Sequence, residues 1–294
     1  MNLADKKMKI IKKLNIEKLL PSRMIIPIYY EYHMGQKLDL KNPKTFNEKL
    51  QWLKLYYKNP IMIKLVDKIE VRNHIKEVLG EEYLIPLIGI YNCFDEINFD
   101  ELPNQFVIKC NHDSGSYILC KNKKDFDIQS ARSKINEHMK ENYFYRWREW
   151  PYKSVKPKIL IEKYMSDFEK NTFDDYKFLC FNGVADNVMV CTGREEGNTK
   201  FHFFDKEWNF KRYNYTGLNE PEGYTMKKPE YMDEMFEIAE TLAQDFPCVR
   251  VDLYCANNKI YFGELTFFPQ AGLDSKLLKS TDRLWGDKIT LKKY

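Results

Sequence analysis

The chain has 294 residues, 44% hydrophobic and 15% aromatic, enough for a large core and a prior of about two domains or one multi-lobed domain. Lys and Arg number 47 against 43 Asp and Glu, a net charge of +4. Lys6, Lys7, Lys9, Lys12, Lys13, Lys18 and Arg23 face only Asp5 and Glu17 within residues 1–23, so the rest of the chain is about one charge negative, which excludes a nucleic-acid-binding main body with a basic face.

No apolar run approaches the ~18–20 residues of a membrane-spanning helix, and the start lacks the apolar stretch of a secretory signal, so a cytosolic protein is expected. The seven cysteines show no CxxC pair and mostly sit in apolar runs, which reads as reduced core thiols. The five histidines show no metal-ligand spacing.

In chain order, residues 5–20 place apolar side chains at helical spacing between lysines, predicting a basic amphipathic helix that ends before Pro21. Thr45 precedes Glu48 by three, a capping box for a helix over about 46–57. A further helix is expected over about 60–79, closing at Gly80. From residue 84 the runs LIPLIGIYNC, QFVIKC, ILC and KILIEKY suit short strands, with a surface helix over 127–142. DYKFLCFNG, ADNVMVCTG and KFHFFDK read as longer antiparallel strands, the first two joined at Asn182-Gly183. An amphipathic helix in PEYMDEMFEIAETLAQDF and a hairpin of CVRVDLYC with KIYFGELTFF complete an α+β order with at least two lobes.

Four segments carry candidate chemistry. FVIKCNHDSGSYILC ends a strand in Lys109 and follows it with Ser114, Gly115 and Ser116, small residues whose backbone N–H groups can approach an anion. Alone it equally suits a hairpin with a solvated lysine. In the terminal hairpin, alternation puts Arg250 and Asp252 on one strand face and Glu264 and Thr266 on one face of the next. Two carboxylates among Val249, Val251, Leu253, Phe262 and Leu265 need positive charge, and magnesium is an economical answer, against the plainer reading of a salt bridge to Arg250. For Asp252 to oppose Glu264 the loop must hold an odd number of residues, such as Asn257, Asn258 and Lys259; a two-residue loop puts Glu264 opposite Val251. KILIEKYMSD is a strand that breaks at Glu162, Lys163 and Tyr164, and Lys177 and Arg194 sit on or beside neighbouring strands.

Taken together, NPKTFNEKLQWLK, KLVDKIEVR, FVIKCNHDSGS, ILIEKY, DYKFLCFNG, RVDLY and FGELTFFPQAG resemble the TupA-like branch of the ATP-grasp superfamily, found among bacterial surface-polysaccharide genes, over roughly residues 40–275. The resemblance implies an ATP-grasp fold in which two α+β lobes hold ATP, with a basic helical extension over 1–40, a helical/αβ region over 41–103, a small lobe over 104–165 and a large lobe over 166–294. It implies phosphate contacts from Lys68 and Lys109, a flexible loop over 111–116 that closes on the phosphates, an adenine hinge at Glu162, Lys163 and Tyr164, and a ribose contact at Asp167 or Glu169. It implies magnesium on Asp252 and Glu264 with Thr266 where many members carry Asn, an arginine for the acyl phosphate at Arg250, and cations for phosphate or substrate at Lys177 and Arg194. Pro269–Gly272 would shape the substrate mouth.

The implied activity is ATP-dependent ligation of a carboxylate, such as a hexuronic acid, to an amine through an acyl phosphate, in surface-polysaccharide assembly, with a small-molecule or lipid-linked partner and no nucleic acid. Phosphoryl transfer to a sugar, a glycosyltransferase-associated step, and nucleotide binding without catalysis stay open as alternatives. Residues 5–20 leave two readings open: a helix packed on the body with its lysines in water, the plainer one, or peripheral contact with the inner face of the membrane.

Overall fold

The computed structural model describes residues 3–14, 16–165, 174–193 and 199–293. The basic N-terminal helix, α1 (Leu3–Leu14), is shorter than the spacing predicts, and after Pro21 a second helix, α2 (Ser22–Met34), runs to a left-handed cap at Gly35. Ala4, Met8 and Ile11 of α1 recur at helical spacing and are buried, with Met8 and Ile11 packing on Ile25 and Tyr29 of α2. α3 (Phe46–Tyr56) opens with the expected capping box: the Thr45 hydroxyl accepts from Glu48 N–H, and the Glu48 carboxylate accepts from Thr45 N–H at 3.1 Å. The single helix expected over 60–79 is two, α4 (Ile61–Val66) and α5 (Val71–Val78). The chain becomes extended at Asp67, whose carboxylate then accepts from Ile69 N–H, so the break lands at Lys68.

The first sheet holds β1 (Leu87–Tyr91), β2 (Phe106–Cys110), β3 (Ile118–Cys120) and β4 (Ile159–Lys163), all antiparallel, in the order β1-β4-β2-β3. Between β3 and β4 lie α6 (Ile128–Lys140) and the single turn α7 (Phe144–Trp147). Phe106, Ile108, Cys110, Ile159 and Ile161 pack with Ala131 and Ile135 of α6 on one face, which leaves Val107, Lys109, Leu160 and Glu162 on the other.

The second sheet comprises β5 (Asp174–Phe181), β6 (Val184–Thr192), β7 (Lys200–Phe204), β8 (Phe210–Lys211), β9 (Cys248–Ala256) and β10 (Lys259–Thr266) in the order β10-β9-β5-β6-β7-β8. Asn182 and Gly183 both take positive φ, the hairpin geometry their sequence signals. The short turn α8 (Tyr215–Leu218) precedes α9 (Met232–Ala243), which buries Met232, Met235, Phe236, Ala239 and Leu242 against this sheet, with the Phe236 ring edge-on to Phe178 at 4.9 Å. The last helix, α10 (Lys279–Lys288), packs on α3 through Trp285 and Phe46. Five cysteines are buried as expected, Cys93 is exposed and Cys255 half-buried, and all seven are free. Among the described residues no helix is long and apolar enough to cross a membrane.

Candidate active site

The β9–β10 hairpin departs from the expected loop and arrives at the expected pairing. The loop has two residues, Asn257 and Asn258, both at positive φ, and Ala256 pairs with Lys259. Regular pairing continued from there would leave Glu264 opposite Val251. A bulge between Phe262 and Glu264 inserts Gly263 and shifts the register by one, so Glu264 opposes Asp252 and Thr266 opposes Arg250. On the far side of β9, Lys177 of β5 also opposes Asp252, giving a row Lys177, Asp252, Glu264 across three strands.

Asp252 is fully buried and accepts from Arg250 in fork geometry at 2.7 and 2.8 Å, and from Lys177. Lys177 also donates to Asp175 at 2.9 Å. Arg250 reaches on to Glu264 at 3.3 Å and the Thr266 hydroxyl at 3.1 Å. Burial alone would neutralise these groups, but their mutual charge wins: Arg250 and Lys177 stand above their usual pKa, and Asp252 below the usual carboxylate range. Lys177 therefore anchors Asp252 instead of standing free toward a phosphate, and the salt bridge of the plainer reading exists as a network that takes in both carboxylates. Glu264 keeps 37% of its side chain exposed, and with Thr266 it presents oxygen to the cleft.

The first sheet supplies the facing wall. Lys109 donates to Glu162 at 2.7 Å, and Arg72 of α5 donates to the other Glu162 oxygen at 3.0 Å and to Ile85 O at 2.8 Å. Glu162 is thus a clamp on two cations beside the strand end. Lys163 N–H is taken by Pro86 O at 2.9 Å, so the open backbone of the expected hinge starts at Tyr164. Lys68 N–H donates to Asn111 O, and its ammonium donates to Asp113 O. Asn111 in turn donates to Asp67 at 2.9 Å, tying the helix break to the loop.

That loop is less free than expected. Asn111, His112, Asp113 and Ser116 are buried, and the Ser116 hydroxyl accepts from Cys110 N–H and donates to Asp113, which also meets His138. Ser116 shapes the loop; Ser114 and Gly115, with Gly115 at φ 98°, form its exposed tip. Asp167, Glu169 and Arg194 lie outside the described residues.

Sequence reading missed what holds the cleft-lining turn at Gln270 and Ala271 from behind. Asn47, Gln51 and Lys54 form a buried polar stripe along α3. Gln51 donates to Ala271 O and Gly272 O, and Lys54 to Ala271 O at 2.7 Å and Trp147 O at 2.8 Å. These bonds hold the turn at Gln270 and Ala271, two non-glycine residues at positive φ. Glu149, 5% exposed, lies beside Lys54; burial raises its carboxyl pKa and lowers the Lys54 ammonium. The spacing of Asn47, Gln51 and Lys54, three or four positions apart along α3, is the signal in the sequence.

All these walls enclose one cleft of about 1020 Å³, lined among others by Lys68, Lys109, Glu162, Lys177, Arg250 and Glu264. A family model described as TupA-like ATPgrasp matches residues 48–290. The chain belongs to that family.

Among solved structures, this TupA-like ATPgrasp chain is similar to a D-alanine–D-alanine ligase from Helicobacter pylori, at 12% identity and TM-score 0.46, over 83% of this chain and 69% of that one. It is similar to a D-alanine–D-alanine ligase from Bacillus anthracis complexed with ATP, at 15% identity and TM-score 0.45, over 76% of this chain and 61% of that one. The ATP-grasp ligase PsnB, complexed with magnesium and ADP, matches at 9% identity and TM-score 0.42, over 83% of this chain and 61% of that one. The chain thus spans less than two thirds of the length of the last two. No curated protein matches it.

The donor set suits the magnesium such a family implies. Among the described residues no cluster of three or more His, Cys, Asp or Glu side chains is poised for a metal. Glu264 and the Thr266 hydroxyl, 3.2 Å apart and open to the cleft, suit a hard cation that draws its remaining ligands from substrate phosphates and water, whereas the oxygens of the opposed Asp252 are already taken by Arg250 and Lys177.

Proposed function

We propose that the chain is an ATP-dependent ligase that activates a carboxylate as an acyl phosphate and joins it to an amine, the carboxylate being a sugar acid of surface-polysaccharide assembly. One observation carries the reading: Lys177, Arg250 and Glu264 line one wall of the cleft with Asp252 buried behind them, and Lys68, Arg72 and Lys109 lie on the other. Negative charge brought between them is met by the cationic excess of Lys68, Arg72 and Lys109 over Glu162. Arg250 and Lys177, in contrast, are balanced by Asp175, Asp252 and Glu264 and would need a metal ion beside them.

The chemical demand is that a carboxylate approach a γ-phosphate. In this reading Lys109 and Lys68 hold the phosphates from the small-sheet side, and the tip at Ser114 and Gly115 offers backbone N–H groups from above. Arg250, raised in pKa and fixed by Asp252, presents a permanent positive charge to the pentavalent centre and then to the tetrahedral intermediate. Glu264 and Thr266, backed by Asp252, would hold magnesium, which shields the phosphate oxygens when bound. No nucleophilic side chain is needed, since the carboxylate, the amine and ATP supply every bond made and broken.

The test is ADP formation from ATP and magnesium with a panel of uronic acids and amino acids, with product mass deciding between an amide and a phosphoester. Asp252→Ala and Glu264→Ala are expected to abolish turnover; full activity in both would overturn the site. A chain that turns over ATP with no pair of the panel would leave nucleotide binding without ligation as its activity.

A further inference from the structure

One corner of the cleft holds a carboxylate that the phosphate and magnesium assignments leave unused. Glu149 is 5% exposed and lines the cleft. Among the described residues no hydrogen bond reaches its carboxylate. Lys54 compensates its charge most strongly, yet the Lys54 ammonium is directed at Trp147 O and Ala271 O. The Glu149 oxygens are not among the fully enclosed polar atoms that lack a partner, so this largely buried carboxylate is served from the cleft side. The residue before it, Arg148, is buried at φ 61°, a conformation unusual for a bulky side chain, so the backbone is also constrained at this point.

The surroundings suit a cation. Tyr143 and Tyr152, with ring centroids 4.9 Å apart, line the cleft together with Glu149 and with Glu264 of β10. Burial first, then Glu149, raises the pKa of both phenols. The two cations that border the corner are committed: Lys54 to carbonyl oxygens, and Arg250 to Asp252, Glu264 and Thr266. Carboxylates together with tyrosine faces recognise an ammonium group by charge and by cation–π attraction. Tyr143 and Ser114 line the same cleft.

We propose that Glu149, near Tyr143 and Tyr152, is the subsite that receives the incoming amine in its ammonium form and takes the proton that must leave before the nitrogen attacks the acyl phosphate and phosphate departs; this rests on the ligase reading above. The test compares two nucleophiles on the full chain with ATP, magnesium and the uronic acids as carboxylates. Hydroxylamine is largely uncharged at neutral pH and traps an acyl phosphate as hydroxamate without an ammonium site, whereas amino acids arrive charged. Glu149→Gln is expected to form hydroxamate at the wild-type rate while the KM for amino acids rises about 10- to 100-fold, the loss of one charged hydrogen bond. Glu149→Asp keeps the charge that Lys54 faces, so it retains the fold if Gln does not, and a displaced carboxylate is expected to raise the same KM. An unchanged amino-acid KM in both variants, or a parallel loss of hydroxamate and amide, overturns the subsite. A wild-type chain that makes no hydroxamate with any carboxylate overturns the ligase reading itself, and the subsite with it.

Discussion

Glu264 stands directly opposite Asp252 because Gly263 adds one residue to β10. A Cβ at position 263 would meet the Asp252 carbonyl oxygen at 2.9 Å and the Tyr254 ring at 2.8 Å. Gly263→Ala is therefore expected to force β9 and β10 apart at the acidic pair, lowering stability by about 1–3 kcal/mol and removing ATP turnover more completely than stability. Denaturant unfolding alongside ADP release measures both. Wild-type values for each would mean that the bulge tolerates a side chain and does not set the pairing.

Asp252 neutralises two buried cations, so its removal leaves Arg250 and Lys177 uncompensated. Asp252→Asn is expected to cost about 3–5 kcal/mol, as breaking a buried ion pair does. The same residue sets an acid limb. Its pKa in the folded state is depressed, because Arg250 and Lys177 outweigh burial. The stability it contributes is therefore present above the unfolded value of about 3.9 and is lost as pH falls through the lower folded value. Unfolding free energy measured from about pH 5 downward should fall less steeply in Asp252→Asn than in wild type; equal slopes would assign the acid limb to other carboxylates.

On the opposite wall, Lys109 reaches Glu162 at 2.7 Å with a quarter of its side chain exposed to the cleft. Lys109→Ala is expected to weaken ATP binding about 10- to 100-fold, the range for losing one charged contact. Titration calorimetry with ATP measures it directly. An unchanged affinity would confine Lys109 to holding Glu162 and move the phosphate contact to Lys68 or Arg72.

The alternation of β9 and β10 is legible in the sequence, because apolar side chains on one face of a strand must meet a core, while β2 and β4 are legible only as short apolar runs. Two features that aim the site are not legible. A glycine inside a strand signals either a bulge or a close backbone approach, and Gly263 is both, so Asp252 opposes Glu264 through a two-residue turn that regular pairing forbids. The helix expected over 60–79 breaks at Asp67 because Asn111, 44 residues later, takes that carboxylate, and such a partner leaves no local trace. Glu149 and Lys54 escaped notice for a similar reason. Each looks like a surface residue until α3 is laid against the turn at Ala271.

The expectation of membrane contact acquires a specific surface. Met8 and Ile11 are spent on α2, but Ile10 and Leu14, one turn apart on another face of α1, are 55% and 59% exposed. Leu19 at 81% and Met24 at 58% are exposed as well, as are Lys6, Lys7, Lys9, Lys13 and Lys18. If these side chains meet an anionic bilayer, each lysine near the surface contributes roughly 1 kcal/mol and apolar burial adds to it. Sedimentation with phosphatidylglycerol vesicles at low salt is expected to carry the chain down, and phosphatidylcholine vesicles or high salt to leave it in solution. Ile10→Ser with Leu14→Ser spares the Met8 and Ile11 contacts, so α1 should stay folded by circular dichroism while binding falls. If wild type and variant sediment alike, or neither sediments, the patch has another role and the lysines are simply solvated.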